Sequence, residues 1–118
     1  MSSAGAQANK FYEDVSKNKI LWFAEDKNGI ALELALADGK VSFPLWSSES
    51  RITKLKKLNP ELLGSFYPRE ISWASFKSVL VPNLKEKDRL VGVNLSGQKI
   101  SGFDMPVDSV IRQVEAFL

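Results

Sequence analysis

Apolar residues recur at helical spacing in two segments of the chain. The first stripe, with members three or four positions apart, is Ala4, Ala8, Phe11 and Val15. This spacing predicts an amphipathic first helix. A second stripe follows Pro106, which suits the first turn of a helix, and consists of Val107, Val110, Ile111, Val114 and Phe117. Both segments are therefore predicted to be helices packed on a core.

After the first helix the pattern changes to short apolar or alternating runs separated by turn residues. Residues 20 to 24 form a continuous apolar run, typical of a strand buried on both faces. Residues 30 to 36 alternate Ile or Leu with Ala or Glu between two turn signals, Asn28-Gly29 and Asp38-Gly39, which predicts a strand with one strongly apolar face. The next strand, residues 41 to 45, contains a proline that cannot donate a ladder hydrogen bond. We expect three consecutive strands, with the third at an edge or ending at that proline.

A second helix is predicted over residues 49 to 58. Ser47 and Ser48 precede it and are able to accept hydrogen bonds from the free amides of its first turn. Its predicted inward stripe is Ile52, Leu55 and Leu58. Asn59-Pro60 ends the helix, because the residue before a proline disfavours helical geometry.

The second half of the chain predicts further strands and helices. Residues 66 to 71 are predicted to form a short edge strand, because they include a proline, and Ser72 to cap a short helix. The apolar residues of that helix are Trp73, Phe76, Val79 and Leu80. Residues 90 to 95 are predicted to form a hairpin with residues 100 to 103 through a turn at Ser96-Gly97.

The predicted order of elements is helix, three strands, helix, strand, helix, two strands and helix. Hairpins rather than βαβ crossovers connect most of these strands, which favours an antiparallel arrangement. We therefore predict a single α+β domain over residues 1 to 118, with a mostly antiparallel sheet of about five to six strands and about four helices packed on it.

The composition excludes several kinds of chemistry. The 118 residues include no Cys and no His, which rules out thiolate nucleophiles, disulfides, imidazole bases and Cys/His zinc sites. The sequence has no glycine-rich phosphate loop and no dinucleotide fingerprint. We therefore expect no enzyme activity, no catalytic residue, no cofactor and no metal site.

Net charge and apolar run lengths bear on partners and location. Sixteen Lys and Arg against fourteen Asp and Glu give a formal charge of +2, too small an imbalance to imply a polyanionic partner. The first residues lack a charged segment followed by an apolar run, and no apolar stretch reaches the ~18 residues needed to span a bilayer. We expect a cytoplasmic protein that does not contact a membrane.

The most site-like segment is residues 44 to 48, where a tryptophan and two serines lie at a predicted helix start. Free amides at such a position are able to receive an anion, and an exposed aromatic anchor is typical of protein interfaces. A second signal is an asparagine inside an apolar strand, just before a turn. The predicted interaction surface is Trp46, Ser47, Ser48, Arg51, Asn94 and Ser96. Its expected partner is an unidentified protein or a second copy of the chain.

The same residues also have structural interpretations, which stay open at this point. In the first interpretation, Trp46 packs into the core and the neighbouring serines serve only as helix caps. In the second, the side chain of Asn94 ties down the turn at Ser96-Gly97.

The leading functional hypothesis is a non-catalytic protein-binding or regulatory domain, and two alternatives remain beside it. Helix 49 to 58 carries Arg51, Lys54 and Lys57 on one side, a surface for nucleic acid that the nearly balanced charge disfavours. A carboxylate-dependent or metal-dependent enzyme is the other alternative, although the acidic residues show no diagnostic spacing.

Three strings of residues, PLWSSES, EISWASF and VGVNLSG, are similar to those of the bacterial domain-of-unknown-function family 2750. Further matching features are Phe11-Tyr12, Leu21-Trp22 and Pro82 to Leu84. The resemblance covers most of the chain and implies a small cytoplasmic bacterial protein with no assigned catalytic residue. More faintly, the layout resembles the amino-terminal domain of the serine-sensitivity protein SseB, where an aromatic strand end leads into a serine-capped helix.

Overall fold

The computed structural model of the protein describes residues 3 to 117. The helices are α1 (Ala4–Asn18), α2 (Glu49–Leu58), α3 (Pro60–Leu63), α4 (Trp73–Ser75), α5 (Val81–Glu86) and α6 (Val107–Glu115). A π-helical segment, Phe76–Leu80, joins α4 to α5. The strands are β1 (Ile20–Asp26), β2 (Leu34–Ala35), β3 (Val41–Leu45), β4 (Phe66–Ser72), β5 (Leu90–Ser96) and β6 (Ser101–Pro106).

The strands form two sheets. β1 and β4 pair as a two-stranded antiparallel sheet, and the other four strands form a sheet of order β2-β3-β5-β6. In the larger sheet β3 and β5 are parallel, whereas β2 with β3 and β5 with β6 are antiparallel. Trp22 and Trp46 link the sheets through two backbone hydrogen bonds of 2.8 Å. The α+β class and the mostly antiparallel arrangement are confirmed, but the strands divide between two sheets rather than forming one.

The larger of two apolar clusters, here called the first core, lies between the four-stranded sheet and the helices α1, α4, α5 and α6. Its fully buried members, which supply the predicted helical stripes and one face of β5, include Phe11, Val15, Phe76, Val91, Val93, Val110 and Val114. The predicted helices at residues 4 to 15 and after Pro106 are thus confirmed.

A smaller cluster, here called the second core, lies beside α2 and α3. Its buried members are Ala24, Leu32, Trp46, Ile52, Leu55, Leu63, Leu95 and Ile100. The predicted bounds of the second helix are confirmed by α2, and the chain turns into α3 directly after Asn59. Leu58, predicted to face inward, is instead 50% exposed.

The predicted strand over residues 30 to 36 is mostly wrong. Its start pairs with β1, because the amide of Leu32 donates to the carbonyl of Ala24 at 2.8 Å. Its end pairs with β3, where Leu34 and Ala35 form β2. One short stretch that serves two sheets cannot be a single continuous strand.

Of the two expectations for β3, the edge position is wrong, because β3 lies between β2 and β5. The other expectation, an end at the proline, is nearly correct, since β3 ends at Leu45, one residue after Pro44. Pro44 is tolerated there because pairing with β2 ends at Ser42, so no β2 carbonyl opposite Pro44 needs its missing amide.

The predicted short helix after Ser72 and the predicted last hairpin are confirmed. The hydroxyl of Ser72 accepts a hydrogen bond from the amide of Ser75 at 3.1 Å. The helical path then continues through the π-helical segment into α5, a helix that the sequence patterns did not predict. Val79 of the predicted apolar face is 60% exposed. β5 and β6 pair in antiparallel orientation, as the turn at Ser96-Gly97 predicted.

Candidate functional groove

An open groove of about 1250 Å³ lies where α1, α2 and the β5–β6 turn come together. The residues that define this groove include Gln7, Lys10 and Asp14 of α1, Ser48, Arg51, Lys54 and Leu58 at and along α2, and Ser96, Gly97, Ser101 and Gly102 of the hairpin. None of its walls comes from the two-stranded sheet or from α6.

A buried polar network lies beneath the residues that line the groove. Asn94 is 0% exposed, and its backbone φ is +48° in a region where β5 shifts register against β6. Its side-chain oxygen accepts the Ser47 amide at 2.9 Å. Its side-chain nitrogen donates to the Ser47 hydroxyl and to the Gln7 carbonyl, both at 3.1 Å. One amide side chain therefore ties α1 and the start of α2 to β5.

The network continues towards the rim through Asp14. The Ser47 hydroxyl donates to one carboxylate oxygen of Asp14 at 3.0 Å, and Lys10 pairs with the other oxygen at 3.2 Å. Gln7 donates from its side chain to the Ser96 hydroxyl. These contacts hold the polar face of α1 against the hairpin.

Trp46 lies beneath the groove and not on its surface. It is 0% exposed, and its indole Nε1 donates to the Leu95 carbonyl at 2.9 Å. The prediction that Trp46 is an exposed anchor is therefore wrong, and its alternative interpretation as a core residue is correct. The physical reason is that the end of β3 is bonded to β1, which places the ring between the sheets and α2.

The six predicted surface residues do come together, but at two depths. Trp46, Ser47 and Asn94 are buried, whereas Ser48, Arg51 and Ser96 line the groove and are partly exposed. The expected role of Asn94 in tying down the following turn is wrong, since its side chain bonds to Gln7 and Ser47 instead.

The predicted capping by serines is only partly observed. Ser48 occupies the cap position of α2, but its side chain makes no capping hydrogen bond. Its hydroxyl lies 3.2 Å from the Ser50 hydroxyl. Ser47 uses its own amide and hydroxyl in the buried network and caps nothing.

The face of α2 that lines the groove combines charge with an exposed leucine. Arg51, Lys54 and Leu58 are three or four positions apart and so share one side of the helix. Within residues 3 to 117, Arg51 and Lys54 have no ion-pair partner. Leu58 is half exposed.

Two of the hairpin residues that line the groove, Gly97 and Gly102, are glycines and project no side chain into it. A Cβ at Gly102 would lie 3.0 Å from the buried side chain of Leu95, so Leu95 leaves little room for a side chain at this position. Gly97 adopts a φ of +79°, which glycine takes without strain, and a Cβ there would meet no atom within 4 Å.

Sequence reasoning missed the contribution of α1 to this site. Gln7, Lys10 and Asp14 share one helical face, but their spacing does not indicate which other element lies opposite. Leu58 was missed for the opposite reason, because its stripe predicted burial. The signal that was available, three cations on one side of α2, included Lys54, which does line the groove.

Two of the expectations concern metal ions and membranes. Within the part of the chain that the structure describes, no group of three or more acidic residues is placed to hold a metal ion. No helix of residues 3 to 117 combines the length and the apolar character needed to cross a bilayer.

Comparison with known proteins gives a family but no activity. No curated protein matches the chain. Among solved structures, the chain is similar to Anabaena Tic22, described as a protein transport protein, with a TM-score of 0.44 and 14% identity over 79% of this chain. The match spans only 46% of that protein and carries no argument about function. The likeness to SseB stays a prediction. The family described as "Protein of unknown function (DUF2750)" matches residues 8–114, so the chain belongs to the DUF2750 family.

Proposed function

We propose that this protein is a non-catalytic binding module that recognises a segment of another protein in the groove. One observation carries the proposal. The groove-lining face of α2 places the half-exposed Leu58 beside Arg51 and Lys54, two cations that no carboxylate within residues 3 to 117 neutralises. Carboxylates of a partner would complement these cations, and the partner would bury the exposed part of Leu58 beside them.

The size of the groove supports a macromolecular partner. Sites for small molecules are enclosed clefts of about 300 to 1,000 Å³. This groove is larger, at about 1250 Å³, and it is open to solvent. Its shape suits a length of polypeptide better than a compact ligand.

The buried polar network beneath the groove supports binding without rearrangement of the groove walls. Among residues 3 to 117, no buried side-chain polar atom lacks a hydrogen-bond partner. The walls are joined by Asn94 and Ser47, whose side chains have fixed partners on α1 and β5. A site held in place before binding spends less free energy on ordering its own residues.

The nucleic-acid alternative has less support from the geometry. Of the three cations on one side of α2, Arg51 and Lys54 line the groove and Lys57 does not. Lys56, on the same helix, lies 4.1 Å above the ring of Tyr67 on β4. A gel-shift assay with mixed DNA and RNA at low salt tests this alternative.

The proposal is tested by photo-crosslinking in cells. A photoreactive benzophenone amino acid replaces Leu58 in one variant and Val79, which is 60% exposed on the π-helical segment, in a matched control. We expect a defined protein crosslink from position 58 and none of the same mass from position 79. Identical crosslinking patterns, or none from position 58, would overturn the proposal. A crosslink from position 58 to a second copy of the chain would replace it with self-association.

A further inference from the structure

We infer that the groove is specific for an acidic, extended segment of another protein, which presents two carboxylates and one apolar side chain on one face. This inference rests on the proposed function and gives the chemistry of the partner. It commits to a peptide and not to a membrane, because the leucine and the cations line a half-enclosed groove whose other sides are α1 and the β5–β6 hairpin.

The charge of the groove selects an acidic partner. Among residues 3 to 117, its lining has three cations, Lys10, Arg51 and Lys54, against one carboxylate, Asp14. Asp14 is already engaged by Lys10 at 3.2 Å and by the Ser47 hydroxyl at 3.0 Å. The remaining charge is therefore positive and lies on α2, where carboxylates of a partner would complement it.

The spacing along α2 selects an extended segment. At about 1.5 Å per residue, Leu58 lies about 6 Å from Lys54 and about 10.5 Å from Arg51 along the helix axis. Alternate side chains of an extended chain share one face and repeat about every 6.6 Å. An apolar residue opposite Leu58 then places the residue two positions away opposite Lys54. The residue four positions away lies within reach of the long side chain of Arg51.

The recognition pattern is therefore acidic, any residue, acidic, any residue, apolar, in either chain direction. In this chain, the one pair of acidic residues spaced by two is Glu86 and Asp88. The apolar residues two positions before and after this pair are Leu84 and Leu90. Neither is available to a partner in extended form, because Leu84 is 4% exposed and Leu90 is paired with Ser42 of β3 in the sheet. A folded second copy does not present the pattern, so the partner is a different protein.

The test is selection of a phage-displayed library of random 12-residue peptides on the full chain. We expect enriched peptides to share two acidic residues and one aliphatic or aromatic residue at the spacing derived above. The same library is selected on the Arg51→Glu, Lys54→Glu variant. A second variant, Lys27→Glu, Lys40→Glu, has the same net charge but changes exposed lysines that do not line the groove.

Affinity measurements with one enriched peptide locate the contacts. We expect the groove charge variant to bind about tenfold or more weakly and the control charge variant to bind as the wild type does. Leu58→Ser is expected to weaken binding about three- to tenfold. Its matched control is Leu62→Ser, because Leu62 is 49% exposed, almost the same as Leu58, but does not line the groove.

Several outcomes would overturn the inference. Failure to enrich any peptide would do so, as would enriched peptides without an acidic bias or equal losses in the two charge variants. So would sedimentation of the wild type, but not of the groove charge variant, with vesicles of phosphatidylcholine and phosphatidylserine. If position 58 still crosslinks to a protein in cells, the proposed function survives and only the partner chemistry is wrong. Loss of both results would reject both.

Discussion

The two cores of this protein differ in what holds them together. The first core joins α1 and α6 to one face of the larger sheet, and its members are apolar side chains such as Phe11 and Val110. The second core also buries apolar groups, but a tryptophan inside it donates a hydrogen bond to the Leu95 carbonyl. Beside it lies the network of Asn94 and Ser47.

The first core contributes mainly to stability, whereas the hydrogen bonds in and beside the second core fix the positions of the elements around it. An apolar core tolerates many exchanges of similar volume, because its contacts are not directional. A buried amide is costly unless each partner is in place, so it permits few alternative arrangements. The groove is built over the second kind of region, and its walls are therefore positioned by hydrogen bonds rather than by packing alone.

The largest expected effect is that of Trp46→Ala. Removing this fully buried ring leaves a cavity and an unpaired Leu95 carbonyl, and we expect the free energy of unfolding to fall by about 3 to 5 kcal/mol. Phe11→Ala, in the first core, is the matched control and is expected to cost a similar amount. Urea unfolding measures both. If Trp46→Ala does not fold, Trp46→Phe removes the hydrogen bond with a smaller loss of ring volume and is expected to cost about 1 to 3 kcal/mol. A loss below about 1 kcal/mol in either variant would contradict this account.

The next effect separates the hydrogen bonds of Asn94 from its backbone conformation. Asn94→Ala removes the acceptor of the buried Ser47 amide and keeps a side chain at a φ of +48°. We expect a loss of about 2 to 4 kcal/mol, of which about 1 kcal/mol comes from the backbone. Asn94→Gly relieves only the backbone part. Thermal unfolding of both variants decides the matter, and equal stability of the two would show that the φ of Asn94 is not strained by a Cβ.

A pair of glycine substitutions is expected to have effects of opposite sign in the two regions. A Cβ at Gly92 of β5 would lie 2.7 Å from a Leu95 methyl group and 2.9 Å from the Asp104 carboxylate, which also binds the Ser42 hydroxyl. Gly92→Ala is expected to destabilise by about 1 to 3 kcal/mol.

Gly5 of α1 provides the contrast. Beyond the neighbouring residues and the helix backbone, the nearest described atom to a Cβ at this position is Ser3 Oγ at 3.9 Å, and the residue is exposed in a helix. Gly5→Ala is expected to stabilise by about 0.4 to 1 kcal/mol, because alanine restricts the unfolded chain. Chemical unfolding of the two variants in parallel gives both signs. Stabilisation by Gly92→Ala would show that β5 is less tightly packed than described.

The first core was largely predictable from the sequence, and the second was not. The stripes of α1 and α6 are local, so their spacing alone indicates which face is buried. The limits of α2 are also local, because Ser48 and Asn59-Pro60 mark them. Residues 30 to 36 were misassigned because the start of this stretch bonds to β1 and its end pairs with β3. Alternation along the stretch does not reveal pairing with two different strands.

The sequence indicated the region of the candidate site but not which of its residues are buried and which are exposed. Ser48, Arg51 and Ser96 were found because serine, arginine and turn chemistry mark exposed positions. The burial of Trp46 depends on a carbonyl in β5, and no pattern near Trp46 reveals that partner. Likewise, the face of α1 that completes the groove becomes recognisable only when the sheet brings α1 and α2 together.

The smallest expected effect is electrostatic and lies at the edge of the first core. The hydrogen bond from Lys77, at 2.8 Å, lowers the pKa of Glu115 below its usual value of 4.5. A lowered pKa in the folded state contributes stability above the unfolded pKa, and this contribution is lost as pH falls through the folded pKa. Lys77→Met is therefore expected to lower stability slightly at pH 7 and not at pH 2, and to raise the pKa of Glu115 in an NMR titration. Lys99→Met, a control at an exposed lysine without an ion pair within residues 3 to 117, should leave that pKa unchanged. An unchanged Glu115 titration in Lys77→Met would show that this ion pair does not persist in solution, as many exposed pairs do not.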